Sequence, residues 1–341
     1  MLNPIHISSY DIYDIYHNDD NKLIIISPSE NKPLTIKYNN IDLDFFICPH
    51  KHTYVYVSKD KIKYDKKIKL IINNDLIETK VNKYPEFKDE IIMSTIVKDE
   101  DNYIRQWIKF HHNLGITRFI IYNNSKKDTL SYILSDYINN KIVILINWHY
   151  SYRLKKSGIS GQTTQQNHSI WAFKNSRYIG LFDIDEYINI QSDTNIQNFF
   201  NNLINEENIN TQEIGSFRLL NKFFYNPYDI PSDGYKFLEI YNCDNITLSG
   251  NEKNFVIPKN VNTFSVHMIT DGKQMYNVSY KKIYFNHYYY LNKNDRGKNK
   301  TNITDDTISI HTNNLINKNY NMWIILFILF IMISIFLYFY S

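Results

Sequence analysis

The sequence predicts an α/β protein: a mainly parallel sheet flanked by helices, preceded by a small β-rich unit and followed by an apolar C-terminal helix. Three observations carry this. From Asp89 onward, apolar runs of strand length alternate with segments of helical periodicity, as they do where helices join parallel strands. Before that point, short β-rich runs recur about every ten residues, with Asn and Asp between them. At the far end, residues 322–340 carry no charge and are almost wholly Ile, Leu, Phe, Met and Tyr.

Residues 1–86 are expected to form a small antiparallel β-domain from the runs 23–26, 34–38, 54–57, 68–72 and 77–81. Residues 82–88, with Pro85, connect it to the next unit. Residues 91–97 read as a buried strand. Asp99, Glu100 and Asp101 then suit the positive end of a helix dipole. Tyr103, Ile104, Trp107, Ile108 and His111 recur at helical spacing, and Gly115 is a stop signal. Trp107 and His111 share the apolar face and belong in the core. A second strand is expected over 118–123, a helix from Asp128 to about Ile138, and a third strand over 142–146. A Gly/Ser loop leads into a helix over about 162–176, and the strand 178–182 follows. Beyond Asn189 an amphipathic helix (196–203) and an extended segment (213–225) complete a domain expected to span 87–291. Residues 292–321 are polar and basic without periodicity and read as a linker.

Composition bounds the partners. The 341 residues carry a net charge of +3, and no basic stripe interleaves with aromatics, so nucleic acid is excluded as the main partner. Asn, Ile, Lys and Tyr are abundant, as an AT-rich genome would produce, and the Asn-x-Ser/Thr triplets follow from that composition. Cys48 and Cys243 fit neither a disulfide framework nor a zinc spacing and read as buried thiols. Residues 1–20 are polar and acidic, without the apolar segment of a signal peptide. Residues 322–340 would span about 28 Å as a helix, against a hydrocarbon thickness of about 30 Å. Trp323 lies near one end and Tyr338 and Tyr340 near the other, as in an aromatic belt. Lys293, Arg296, Lys298, Lys300 and Lys318 precede this span. A single-pass tail anchor is therefore expected, with the bulk of the chain on the cytosolic side of a host membrane or a virion.

The chemistry concentrates in Tyr178-Ile-Gly-Leu-Phe-Asp-Ile-Asp-Glu-Tyr187, where an apolar run ends in Asp183 and Asp185. On an extended chain, carboxylates at i and i+2 point the same way. Such a pair can hold one Mg²⁺ or Mn²⁺ and leave positions open for substrate phosphates. That arrangement suits an enzyme that must grip a nucleotide diphosphate. Ligands in parallel α/β sheets bind at carboxyl strand ends, where this pair sits. A second copy, Asp42-Leu43-Asp44, precedes an apolar run and reads as a solvated turn.

Four blocks in order resemble the glycosyltransferases of family 92, the DUF23-type enzymes of the GT-A fold. They are Lys98 through His111 continuing to Asn123, Gln162 with the helix leading to Trp171, Phe182 through Tyr187, and Lys253 and Pro258 followed by Val266-His267 and Asn286-His287-Tyr288. Asn123-Asn124 stands where an Asp-Asn pair is common in the family, and Ser169 where a Cys is common. The resemblance, with the composition, suggests a large AT-rich virus as the source. It implies transfer of a sugar, galactose among the candidates, from a nucleotide-sugar such as a UDP-sugar to a hydroxyl of a glycan or glycoprotein, with inversion and with Mn²⁺ or Mg²⁺ as cofactor. Asp185 would bind the metal directly, Asp183 would contact ribose or a metal-bound water, and Glu186 would orient ligands. A late histidine, His267 in preference to His287, would complete the metal shell. Lys98, Asp99, Glu100, Asn123, Gln162, Asp183 and Lys253 would face the nucleotide-sugar, with helix capping the competing role for Asp99 and Glu100. Asp233 and Glu252, beside Asp229 and Glu239, are the candidates for general base. The alternative is an inactive membrane-anchored binding or structural protein with a transferase-like fold. The intact acidic set favours the enzyme.

Overall fold

The computed structural model describes residues 2–28, 32–48, 53–153, 160–224, 242–243, 251–288 and 303–312. Asp233 and the expected membrane span over 322–340 lie outside the described residues. Among the described residues, no helix is long and apolar enough to cross a membrane.

The centre is a seven-stranded sheet in the spatial order Val143–Asn147, Arg118–Asn123, Ile91–Val97, Tyr178–Leu181, Lys253–Val256, Ile214–Leu219, Gln274–Asn277. The first four strands are parallel, with Ile92 opposite Arg118 and Ile91 opposite Tyr178. Their continuous apolar runs are what burial on both faces requires. Lys253–Val256 enters antiparallel beside Tyr178–Leu181 and beside Ile214–Leu219. Gly180 permits that packing: a Cβ there would lie 2.8 Å from the Phe255 ring and 3.1 Å from Met93.

Helix Ile104–Asn113 buries Ile104, Trp107, Ile108, Phe110 and His111, as its periodicity predicts. The acids ahead of it do not cap it. Tyr103 is the N-cap residue and makes no side-chain cap. Asp99 sits at φ 56° and gives its N–H to Ser125 Oγ at 2.7 Å, while Asp101 accepts from the Thr129 hydroxyl at 2.6 Å. The helix expected from Asp128 divides into Thr129–Ile133 and Ser135–Asn139.

Helix Ser160–Ala172 is polar and nevertheless buried. Its side chains find partners on both sides. Gln165 donates to Ser94 Oγ, Asn167 to the Phe264 carbonyl, and Thr164 pairs with Thr53. His168 donates Nε2–H to Asp14 at 3.0 Å and accepts from the Tyr122 hydroxyl at 2.7 Å.

The N-terminal strands form two sheets. One has the order Asp44–Cys48, Thr53–Val57, Leu23–Ser27, Asp14–His17, Asn82–Lys83, and the other Ile41–Asp42, Ile36–Tyr38, Lys67–Ile72, Asp75–Lys80. The first shares a core with the central sheet: Tyr16, Ile24, Ile26 and Val55 cluster with Ile92, Ile120, Tyr122 and Ile179. At this junction the fully buried Asp14 accepts from Tyr84 (2.6 Å), Asn82 (3.0 Å) and the N–H groups of Ile5 (2.7 Å) and Ile15 (2.8 Å), besides His168.

A third sheet runs Glu186–Ile190, Ile283–Tyr288, Asn221–Phe224, Asn242–Cys243, Ile303–Thr304. Its last strand belongs to the segment that the sequence assigns to a polar linker. Residues 303–312 instead dock on the domain. Ile308 is fully buried, Asp305 pairs with Lys222 at 2.5 Å, and His311 Nε2–H donates to the Ile190 carbonyl at 2.9 Å. One apolar anchor among polar residues has no period, which is why the pattern reads as a tether.

Ile308→Ala is expected to cost about 2–5 kcal/mol in denaturant unfolding, as for other core truncations. A change within about 0.5 kcal/mol would return residues 303–312 to a tether. Asp14→Ala, which strands several buried donors, is expected to cost on the order of 3 kcal/mol, measured the same way.

Candidate active site

The chain leaves strand Tyr178–Leu181 and turns over 183–185, closed by the Glu186 N–H on the Asp183 carbonyl at 3.2 Å. Asp183 and Asp185 therefore do not lie on an extended chain, and the turn sends them to different partners. Asp183, with its side chain 40% exposed, meets Lys253 Nζ at 2.5 Å and accepts from Gln162 Nε2 at 3.2 Å. Asp185 is buried and lies 3.4 Å from His287 Nε2. Glu186 is buried as well. Its Oε2 accepts the Asp183 N–H at 2.9 Å and lies 3.2 Å from Lys253 Nζ, and its Oε1 lies 3.7 Å from His287 Nδ1.

Sheet register creates this meeting. Glu186 opens strand Glu186–Ile190 and stands directly opposite His287 on Ile283–Tyr288. Lys253 opens its own strand, whose Asn254 is opposite Leu181, so its side chain reaches back to the turn. The backbone is pinned from outside. Trp107 Nε1–H donates to the Glu186 carbonyl at 3.0 Å, and the Tyr288 N–H to the Asp185 carbonyl at 2.9 Å. His111 accepts the Ile188 N–H at 3.3 Å and donates to the Trp107 carbonyl at 2.9 Å. Burial drives the His111 pKa down to about 3, so it stays a neutral core histidine.

Charge and burial oppose each other here. Burial pushes the Glu186 carboxyl up to about 7, against the pull of Lys253. Burial works against the Lys253 charge too, but Asp183 and Glu186 outweigh it and hold the ammonium above its ordinary range. Burial likewise disfavours charge on Asp185 and His287. Their mutual attraction wins, holding the Asp185 carboxyl below and the His287 imidazole above their usual values.

Among the described residues, Asp185, Glu186 and His287 offer ligand atoms within 4.8 Å of one another. Carboxylates with one imidazole are a donor set that accepts Mn²⁺. His267, the histidine favoured from the sequence, stands apart from this set and gives Nδ1–H to the Glu252 carbonyl at 2.7 Å. Of the two histidines, His287 is the one that lies beside Asp185 and Glu186.

A cleft of about 1010 Å³ opens at the carboxyl ends of the parallel strands, lined by Lys98, Asp99, Asn124, Lys126, His149 and Tyr152 among others. The Tyr152 hydroxyl donates to Gln162 Oε1 at 2.7 Å, which links the cleft through Gln162 to Asp183. Lys98 and Asp99 line the cleft, while Gln162 and Lys253 connect to it through Tyr152 and Asp183. Glu100 is not among the cleft-lining residues. Asn123 is fully buried, its Oδ1 taking the Ser125 N–H at 3.0 Å, and its neighbour Asn124 reaches the cleft instead. Glu252 is buried, 3.8 Å from Arg218. Lys126, His149 and Tyr152 were not anticipated. All three follow closely on strands, and that position was the available signal.

The model of glycosyltransferase family 92 matches residues 91–323, more than half of the chain. A family 92 protein of Ricinus communis is 21% identical over 119 residues, 35% of this chain and 20% of its own length. One of Arabidopsis thaliana is 29% identical over 119 residues, 34% of this chain and 19% of its own length. The matched stretches span about a fifth of these relatives. Among solved structures, S. aureus TarS (residues 1-349) is similar at a TM-score of 0.34 and 14% identity, over 58% of this chain and 60% of that one. HddC from Yersinia pseudotuberculosis is similar at 0.29 and 12%, over 57% and 92%. The family match runs from the first parallel strand through the acidic turn and Lys253 to His287 and the docked segment, and the chain belongs to glycosyltransferase family 92.

Proposed function

We propose that this protein transfers a sugar from a nucleotide-sugar, a UDP-sugar in the first instance, to a hydroxyl of a glycan or glycoprotein acceptor, with inversion and with Mn²⁺ or Mg²⁺. Galactose is one candidate sugar. The observation that carries the reading is the convergence of Asp185, Glu186 and His287 beside the Lys253–Asp183 pair, behind a cleft at the carboxyl ends of parallel strands. The family supports the same reaction class.

The donor set fits a divalent cation by chemistry and by proximity. Asp185 and His287 would hold it, with Glu186 at their side. When bound, such a cation stabilises the negative charge of a leaving diphosphate as a Lewis acid. Lys98 and Lys126 line the cleft and would meet phosphate oxygens. Gln162, held by Tyr152 of the cleft wall, bonds to Asp183, which would meet ribose or a ligated water. Lys253 offsets the acids around it so that the turn keeps its shape without the cation. The expected anchor over 322–340, with the catalytic unit on the cytosolic face, belongs to the same proposal.

The test is a panel of nucleotide-sugars assayed for Mn²⁺-dependent binding, hydrolysis and transfer. One donor should bind and turn over with the metal. Asp185→Ala should lose about 10²-fold or more of metal-dependent nucleotide release while the fold survives. Equal activity in excess chelator would remove the metal from the account. No binding by any donor would remove the transferase reading.

A further inference from the structure

His267 occupies a turn that is costly to build. It joins strand Val261–Ser265 to strand Met268–Gly272, and Val266 before it sits at φ 47°. A β-branched residue in that region is a genuine outlier and persists only where the surroundings hold it. Here they do. The Val266 N–H goes to Gln166 Oε1 at 3.0 Å, and Asn254 Nδ2 donates to the His267 carbonyl at 2.9 Å. Gln166 shares a helix with Gln162, and Asn254 follows Lys253, so the turn is tied to both elements that reach the acidic turn.

The ring is oriented as well. Nδ1–H donates to the Glu252 carbonyl at 2.7 Å, which leaves the lone pair on Nε2. Nε2 has no hydrogen-bond partner among the described residues, and the residue is only partly buried. Glu252, whose carbonyl holds the ring, directly precedes Lys253, and Lys253 pairs with Asp183 at 2.5 Å, so His267 is joined to the acidic turn from the Lys253 side. The charged groups that act on the ring are Lys253, Asp183 and Glu252. Burial, with Lys253, lowers its pKa from the usual 6.5, so the imidazole is neutral near pH 7. The Glu252 carboxylate faces Arg218, and the part of Glu252 that serves His267 is its backbone.

We infer that His267 is the general base of the proposed transfer, the group that takes the proton of the acceptor hydroxyl. The inference rests on the proposed transferase reading. As the acceptor oxygen bonds to the anomeric carbon, its proton passes to His267 Nε2. The bond from that carbon to the diphosphate oxygen breaks, and its electron pair leaves with the nucleoside diphosphate. The imidazolium then returns its proton to solvent.

His267→Asn tests this, because an Asn amide can still donate to the Glu252 carbonyl but accepts no proton at neutral pH. With the donor chosen by the panel, transfer should fall about 10²–10⁴-fold and the acidic limb of the pH profile should vanish. Affinity for UDP with Mn²⁺ should stay within about twofold, and azide, which needs no deprotonation, should be glycosylated at a rate near wild type. Transfer within about threefold of wild type, equal loss toward azide, or a collapse of Mn²⁺–UDP affinity would each overturn the assignment. A second readout does not depend on turnover. In ¹⁵N spectra of the full chain, His267 should be the Nδ1–H tautomer at pH 7, and an Nε2–H tautomer would overturn the base role. A wild-type protein that turns over no donor would instead sink the transferase reading on which it rests.

Discussion

The site depends on one constraint: two carboxylates are buried, and something positive must be buried with them. Asp185 is 2% exposed and Glu186 1%. An unpaired buried carboxylate would cost several kcal/mol or take up a proton. Lys253 and His287 meet this demand, and both come from strands added to the acidic turn by sheet pairing. The antiparallel insertion of Lys253–Val256 into an otherwise parallel run is thus what brings an ammonium to the acidic turn. The register that puts Glu186 opposite His287 does the same for the imidazole. Trp107 and Tyr288 fasten the backbone of the turn, so that charge pairing acts on a fixed frame.

The parallel half of the sheet was legible because its strands are buried on both faces and read as unbroken apolar runs. The acidic turn was legible as the end of one such run. The histidine was not. Whether His267 or His287 meets the carboxylates is a question of register between strands about a hundred residues apart, and side-chain type carries no register. Asn123 was misplaced for a related reason, since a strand's last residue can face inward as readily as toward the cleft. The acids 99–101 suit a helix dipole, yet of the bonds at this strand end Asp99 makes one with its backbone N–H and Asp101 one with its carboxylate.

Helix Ser160–Ala172 shows where hydrophobic patterning fails altogether. It has almost no apolar face, yet it lies between the central sheet and the N-terminal β unit. Gln162, Thr164, Gln165, Gln166, Asn167 and His168 are paired with neighbouring elements, and low local dielectric makes such networks strict about geometry. The helix carries Gln162 to Asp183 at one point and Gln166 to the strained turn before His267 at another. The N-terminal strands, through Asp14 and His168, brace the same helix. A unit that looked separable in sequence therefore supports the element that shapes the site.

The most direct measurement is a double-mutant cycle between Lys253 and Glu186, read by denaturant unfolding of Lys253→Met, Glu186→Gln and the pair. If Lys253 holds the turn by neutralising buried acid, Lys253→Met alone should cost about 3–5 kcal/mol. Adding Glu186→Gln should then restore stability, with a coupling energy of about 1–3 kcal/mol. Strictly additive losses would contradict the account, because the lysine would then act by packing and not by charge.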